Sequence, residues 1–152
     1  MTIIYFRYIM EPDKNNRKEI EIMNNFIISS YDVENRLLDV AADTERAHWS
    51  INTLYRTLLL IRSNKKRCCS PSFNYLVERL GMARPTLSRC IKVLEENGFL
   101  FVIRKPKKSS VYFMPLEDYY LKPELLDNYA NTIESLGGSL MEWDKYRKEF
   151  LK

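Results

Sequence analysis

The chain has 152 residues, 45% of them hydrophobic and 29% charged, with a net charge of +4, so it is long enough to bury a core without metal or disulfide staples. No stretch approaches the ~18–20 apolar residues that cross a bilayer, and the longest apolar run, Leu58-Leu59-Leu60-Ile61, lies between Arg56 and Arg62. Three cysteines, two of them adjacent, and a single histidine, His48, offer neither a disulfide framework nor a metal-ligand spacing, and no cofactor motif is present.

The apolar start at residues 1–5 is broken by Arg7 and lacks the features of a secretory signal, which makes the cytoplasm the expected compartment. Residues 3–8 have the composition of a short strand, and 11–17, polar with Pro12, that of a loop. Ile20, Met23, Phe26 and Ile27 fall at helical spacing. The segment 31–47 carries a stripe of Val33, Leu37, Leu38, Val40 and Ala41, with Ser30 or Asp32 as its cap. These two stretches are one helix or two.

Ser50 is placed to cap the next helix, whose face is Ile51, Leu54, Tyr55, Leu58, Leu59 and Ile61. The polar run 62–67 ends it, and Cys68-Cys69 reads as a pair of reduced loop thiols. After Pro71, Ser72 caps a short helix that hides Phe73, Leu76, Val77 and Leu80, and Gly81 stops it in the left-handed conformation. A second helix over 84–97 opens on Arg84-Pro85, where proline suits the first turn, and buries Leu87, Cys90, Ile91 and Leu94 before Asn97-Gly98. The period then changes: 99–104 and 111–114 are strands of a β-hairpin, and 106–110 is its turn. Helices over 123–136 and 139–152 flank Gly137-Gly138, the last with Leu140, Trp143, Tyr146, Phe150 and Leu151 on its apolar side. The expected fold is therefore mainly α with a small β-hairpin: an N-terminal helical extension over 1–48, a central domain over 49–114 and a C-terminal helical segment over 115–152.

Charge is unevenly distributed along this order. Between residues 62 and 108, twelve Lys or Arg face three Glu, a local net of +9, while 1–61 carry −2 and 109–152 carry −3. Such a field attracts a polyanion. Two short helices joined through a glycine turn form a helix-turn-helix, whose second helix enters the DNA major groove. The polar side of helix 84–97 offers Arg84, Thr86, Ser88 and Arg89 for base edges, since Arg forks onto guanine and Ser or Thr reaches bases or phosphates. Lys92, further along, is placed for a phosphate. Arg104, Lys105, Lys107, Lys108 and Ser109 at the hairpin tip suit the DNA backbone or an adjacent minor groove, and 65–67 the opposite flank.

The string SPSFNYLVERLGMARPTLSRCIKVLEENGFLFVIRKPKKSSVYFM, residues 70–114, resembles the winged helix-turn-helix domains of bacterial, plasmid and phage DNA-binding proteins, of MarR-like and replication-initiator type. The pattern is a Pro-Ser start and an L-x-x-x-L-G helix ahead of R-P-T-x-S-R-x-I-K-x-L-E-E-N-G. With the helix over 49–63 it covers about 65 residues. One departure is Ala83, which stands where a Ser or Thr cap is usual.

The resemblance implies the fold and contact with DNA, which regulators and replication initiators share; the expected role is a sequence-specific, double-stranded DNA-binding transcription regulator. The alternative is a replication-initiation or primosome protein of a plasmid or phage. One histidine and no glycine-rich phosphate loop leave little for catalysis, so a non-enzymatic role is expected. The apolar faces of 123–152 exceed what one small domain needs and point to a homodimer through that segment. No residue set singles out a small-molecule effector.

Overall fold

The computed structural model of the chain describes residues 31–42 and 48–151. The elements expected over 3–8, 11–17, 20–27 and 43–47, and the cap at Ser30, lie outside them. Helix α1, Tyr31–Ala42, buries Val33 and Leu37 one turn apart, while Leu38, expected in the same stripe, points outward and is half exposed. Helix α2, His48–Ile61, buries Ile51, Leu54, Tyr55 and Leu58, the i, i+3, i+4, i+7 face of a core helix. Ser50 therefore lies inside the first turn of α2 rather than at its cap. Arg56 of α2 meets Glu34 of α1 at 2.8 Å and ties the pair together.

The next five elements place a pair of helices between one strand and two others. Strand β1 is Cys68–Cys69, helix α3 is Phe73–Leu80, helix α4 is Arg84–Glu96, and strands β2 and β3 are Phe101–Ile103 and Val111–Phe113. Both helix boundaries of the pair α3/α4 follow from local chemistry. The Ser72 hydroxyl accepts from the Tyr75 amide at 3.0 Å, and Gly81, at φ 63°, takes the left-handed conformation that closes α3. Ala83 leaves the start of α4 without a side-chain cap, and Pro85 stands in its first turn. Leu87, Cys90, Ile91 and Leu94 face inward and pack on α2.

The strands form one antiparallel sheet in the order β1-β3-β2, with Phe101 opposite Phe113, Val102 opposite Tyr112 and Cys68 opposite Phe113. Side chains alternate across a strand. Val102, Tyr112 and Cys69 consequently belong to the core of α1–α4, while Phe101, Ile103, Val111, Phe113 and Cys68 belong to a second core on the opposite face. Cys68-Cys69 is thus not a loop but a buried edge strand, and its two thiols serve different cores.

The C-terminal segment covers that second face. Helix α5, Pro115–Leu121, follows β3 directly, within the segment expected to be helical but ahead of the first helix expected in it, at 123. The helix expected over 123–136 divides into a 3₁₀ segment, Pro123–Asn128, and helix α6, Tyr129–Ser135. Helix α7, Leu140–Phe150, is capped by Ser139, whose hydroxyl accepts from the Glu142 amide at 3.3 Å. Trp143 stacks between Tyr129, centroid distance 5.3 Å, and Tyr146, 5.5 Å, while Phe101 meets Trp143 edge-on at 5.2 Å. Such aromatic pairs add about 0.5–1.5 kcal/mol each beyond the area they bury.

The aromatic residues from which a dimer face was expected therefore cover the chain's own sheet. Of the apolar side expected for 139–152, Leu140 is exposed with Met141, and Trp143 and Tyr146 are buried. The molecule is mainly helical with a small three-stranded sheet, and no helix among the described residues is long and apolar enough to cross a membrane.

Candidate nucleic-acid interface

Helix α4 turns its polar side away from both cores because its four buried residues occupy one contiguous arc. At about 100° per residue, Ser88, Arg89 and Lys92 lie on the outer arc, and Arg84 and Thr86 flank the buried one on opposite sides. Ser88, Arg89 and Lys92 are exposed accordingly, and Thr86 is half-buried. Arg84 is exposed but not loose. Its guanidinium lies 4.7 Å from the centroid of the Phe73 ring, and Nη1 donates to Asn74 Oδ1, so α3 and the start of α4 hold it jointly. Lys92 Nζ approaches Glu96 Oε1 at 3.8 Å, a surface i,i+4 pair of small weight.

The hairpin brings its cations alongside. Lys108 N donates to Lys105 O at 3.4 Å, and with Pro106 second and Lys107 third at φ 59° the turn has the type II pattern. That geometry throws Lys107 and Lys108 outward, with Lys105 and Ser109 half-buried behind them. Two polar straps fix the hairpin. On the β3 side Ser70 Oγ donates to Ser110 O at 3.2 Å and lies 3.5 Å from Ser109 O. On the β2 side Arg104 forks onto Glu95 of α4, Nη1 to Oε2 at 2.8 Å and Nη2 to Oε1 at 3.1 Å. The hydrogen bonding to Glu95 holds the Arg104 pKa above its ordinary value.

Between the straps lies a trough made of two clefts that share Phe73, Ser110 and Tyr112. One, about 370 Å³, opens toward Lys107, Lys108 and Ser109; the other, about 240 Å³, opens toward Ser88 of α4 and Arg104. Ser88 of α4 and the hairpin turn thus border one concave surface. Of the expected residues, Arg89, Lys105, Lys107 and Lys108 make no ion pair among the described residues, while Arg104 and Lys92 are paired with glutamates.

The loop before β1 behaves differently from its expected role. Arg67, at φ 59°, turns inward with Arg62 to Asp118 of α5, whose carboxylate is 1% exposed. Arg67 Nε lies 3.1 Å from Asp118 Oδ2, and Arg62 Nη1 3.4 Å from Oδ1. Burial works against the Arg67 charge, and Asp118 overcomes it through its hydrogen bonds and its charge. Tyr129 also donates to Asp118, and Tyr55 donates to the neighbouring buried Glu117 at 2.8 Å. Only Lys65 and Lys66 of the run 65–67 remain exposed. Sequence reasoning missed this buried acidic pair. The signal present was Pro115 followed by Glu117 and Asp118, the composition of a helix first turn.

Among the described residues no group of three His, Cys, Asp or Glu is placed to hold a metal ion. Comparison with protein-family models, with curated proteins and with solved structures finds no match.

Proposed function

We propose that the chain is a winged helix-turn-helix protein that binds double-stranded DNA sequence-specifically, as a transcription regulator and not as an enzyme. The observation that carries the reading is the shared trough: Ser88 on the outer arc of α4 and the cationic hairpin turn border one concave surface, within a block of net charge +9. A helix of about 10–12 Å diameter fits the major groove, which is about 12 Å wide. With α4 seated there, Arg89 and Ser88 face base edges, and Arg84 reaches from the start of the helix as a pre-set fork. Lys105, Lys107 and Lys108 meet phosphates on the flank, which adds affinity through counterion release without reading sequence.

The order of parts supports the same reading. Two short helices meet through a left-handed glycine, and an antiparallel hairpin with a basic turn follows the second. A second copy of the chain would have to use surfaces other than the aromatic face of α6 and α7, which is internal. The test is selection from random duplex DNA, followed by sequencing, with the wild-type chain and an Arg84→Ala/Arg89→Ala variant. The reading predicts an enriched motif that the variant loses. A palindrome supports a dimeric regulator, whereas directly repeated sites support a replication initiator. Binding without any motif, equal in both proteins, contradicts sequence-specific recognition.

A further inference from the structure

Glu95 and Arg104 do not fit a simple inventory of DNA-contacting cations. An exposed ion pair holds loosely as a rule, but a guanidinium and a carboxylate joined by two parallel hydrogen bonds are the geometry in which a surface pair has weight. Arg104 makes that fork with Glu95 while standing at the foot of the cationic turn and lining the cleft that Ser88 of α4 also lines. Glu95 is the residue that occupies it: the other glutamate of this stretch, Glu96, stands off from Lys92 at 3.8 Å through a single contact. A phosphate offers a guanidinium the same forked pair of oxygens as a carboxylate.

We propose that Glu95 is a specificity-determining residue that competes with DNA phosphate for Arg104. This rests on the reading of the trough as a duplex-binding surface. On DNA that α4 does not match, Arg104 stays on Glu95 and contributes no phosphate contact. On the cognate site, the base contacts of α4 hold the backbone against the trough, and Arg104 transfers from carboxylate to phosphate. Glu95 thereby lowers binding to non-cognate duplex more than binding to the target, which raises the ratio between them.

The test is a double-mutant cycle read on a random-sequence duplex by fluorescence anisotropy at 50 and 200 mM salt, using wild type, Glu95→Gln, Arg104→Gln and the double variant. Glu95→Gln is expected to bind the random duplex more tightly and with a salt slope steeper by about 0.9, the value for one added phosphate contact. Its advantage over wild type then grows about threefold as salt falls from 200 to 50 mM. In the Arg104→Gln background the Glu95 substitution is expected to change neither quantity appreciably. An equal gain in both backgrounds means that the glutamate acts only through its charge, and it overturns the proposal. So does weaker binding by a Glu95→Gln variant whose thermal melt is that of wild type, which means that the pair serves only to place the hairpin for DNA and does not withhold Arg104 from it. If wild type itself fails to bind duplex DNA at either salt, the reading of the trough fails and this inference with it; the cycle separates that outcome from the first two.

Discussion

Asp118 concentrates more interactions than any of the residues proposed to meet DNA. Its buried carboxylate accepts from Arg67 and Tyr129 and faces Arg62, so it pins the 62–67 loop and α6 to α5 at one point. Removing one partner of a buried ionic cluster leaves the others without compensation, which costs about 3–5 kcal/mol. Asp118→Ala is expected to lose stability on that scale in urea unfolding, and a loss under about 1 kcal/mol would mean that water replaces the carboxylate freely. Titration provides a second check. Burial, with the Glu117 charge behind it, raises the Tyr55 pKa; burial, then Asp118, raises that of Tyr129; burial alone raises that of Tyr146. Burial also pushes the Cys69 thiol up to about 12 and raises Cys68 and Cys90. All six groups are neutral when protonated, so the folded state keeps protons that the unfolded chain releases. The stability they contribute is full below the unfolded values, about 8.5 for thiols and 10 for tyrosines, and falls as pH rises above them. Urea midpoints measured from pH 7 to 11 are expected to start falling above about pH 8.5 and to fall more steeply past pH 10. A flat profile to pH 11 would contradict the burial of these side chains.

At the scale of elements, what was legible in the sequence is what local chemistry decides. Ser72 and Gly81 bracket α3, Pro85 opens α4, and Leu87, Cys90, Ile91 and Leu94 repeat at helical spacing, all without help from distant residues. The elements that were not legible depend on partners far along the chain. Cys68-Cys69 is a strand only because β3 lies beside it, and two residues carry no period. Glu117 and Asp118 are tolerated inside because Tyr55, Arg62 and Arg67, some 50–60 positions earlier, fold over them. The aromatic excess of 123–152 is visible in the sequence, but that the small sheet is apolar on both faces is not, and these aromatics pack on the chain's own sheet. The candidate site divides the same way: helical spacing placed Ser88, Arg89 and Lys92, whereas the capture of Arg104 by Glu95 and of Arg67 by Asp118 needed the fold. Gly98 gives this level its own test. It stands at φ 82° just after α4; its carbonyl accepts from Tyr146, and an added Cβ would overlap the Phe150 ring. Gly98→Ala is expected to cost about 1–3 kcal/mol for the backbone conformation, with further loss from the displaced ring. A thermal melt within 1 °C of wild type would show that α7 is not held at this point.

Taken whole, the molecule has two cores on either side of one small sheet, and its positive charge lies on the part built from the first core and the hairpin. The C-terminal helices carry aromatic packing and a net negative charge, and they keep β2 and β3 fixed so that the turn between them has a defined place beside α4. The central claim is that this side of the molecule is built for duplex DNA, and the cations that make no ion pair are the place to test it. The most direct measurement is the salt dependence of binding to a fixed duplex between 50 and 200 mM salt, for wild type and for a Lys105→Ala/Lys107→Ala/Lys108→Ala variant of unchanged melting temperature. Each lysine on a phosphate contributes about 0.9 to the slope of log affinity against log salt, so the variant is expected to lose about two to three units of slope and to bind correspondingly less tightly at 50 mM. An unchanged slope and affinity would contradict the account, because the hairpin would then not lie on the DNA.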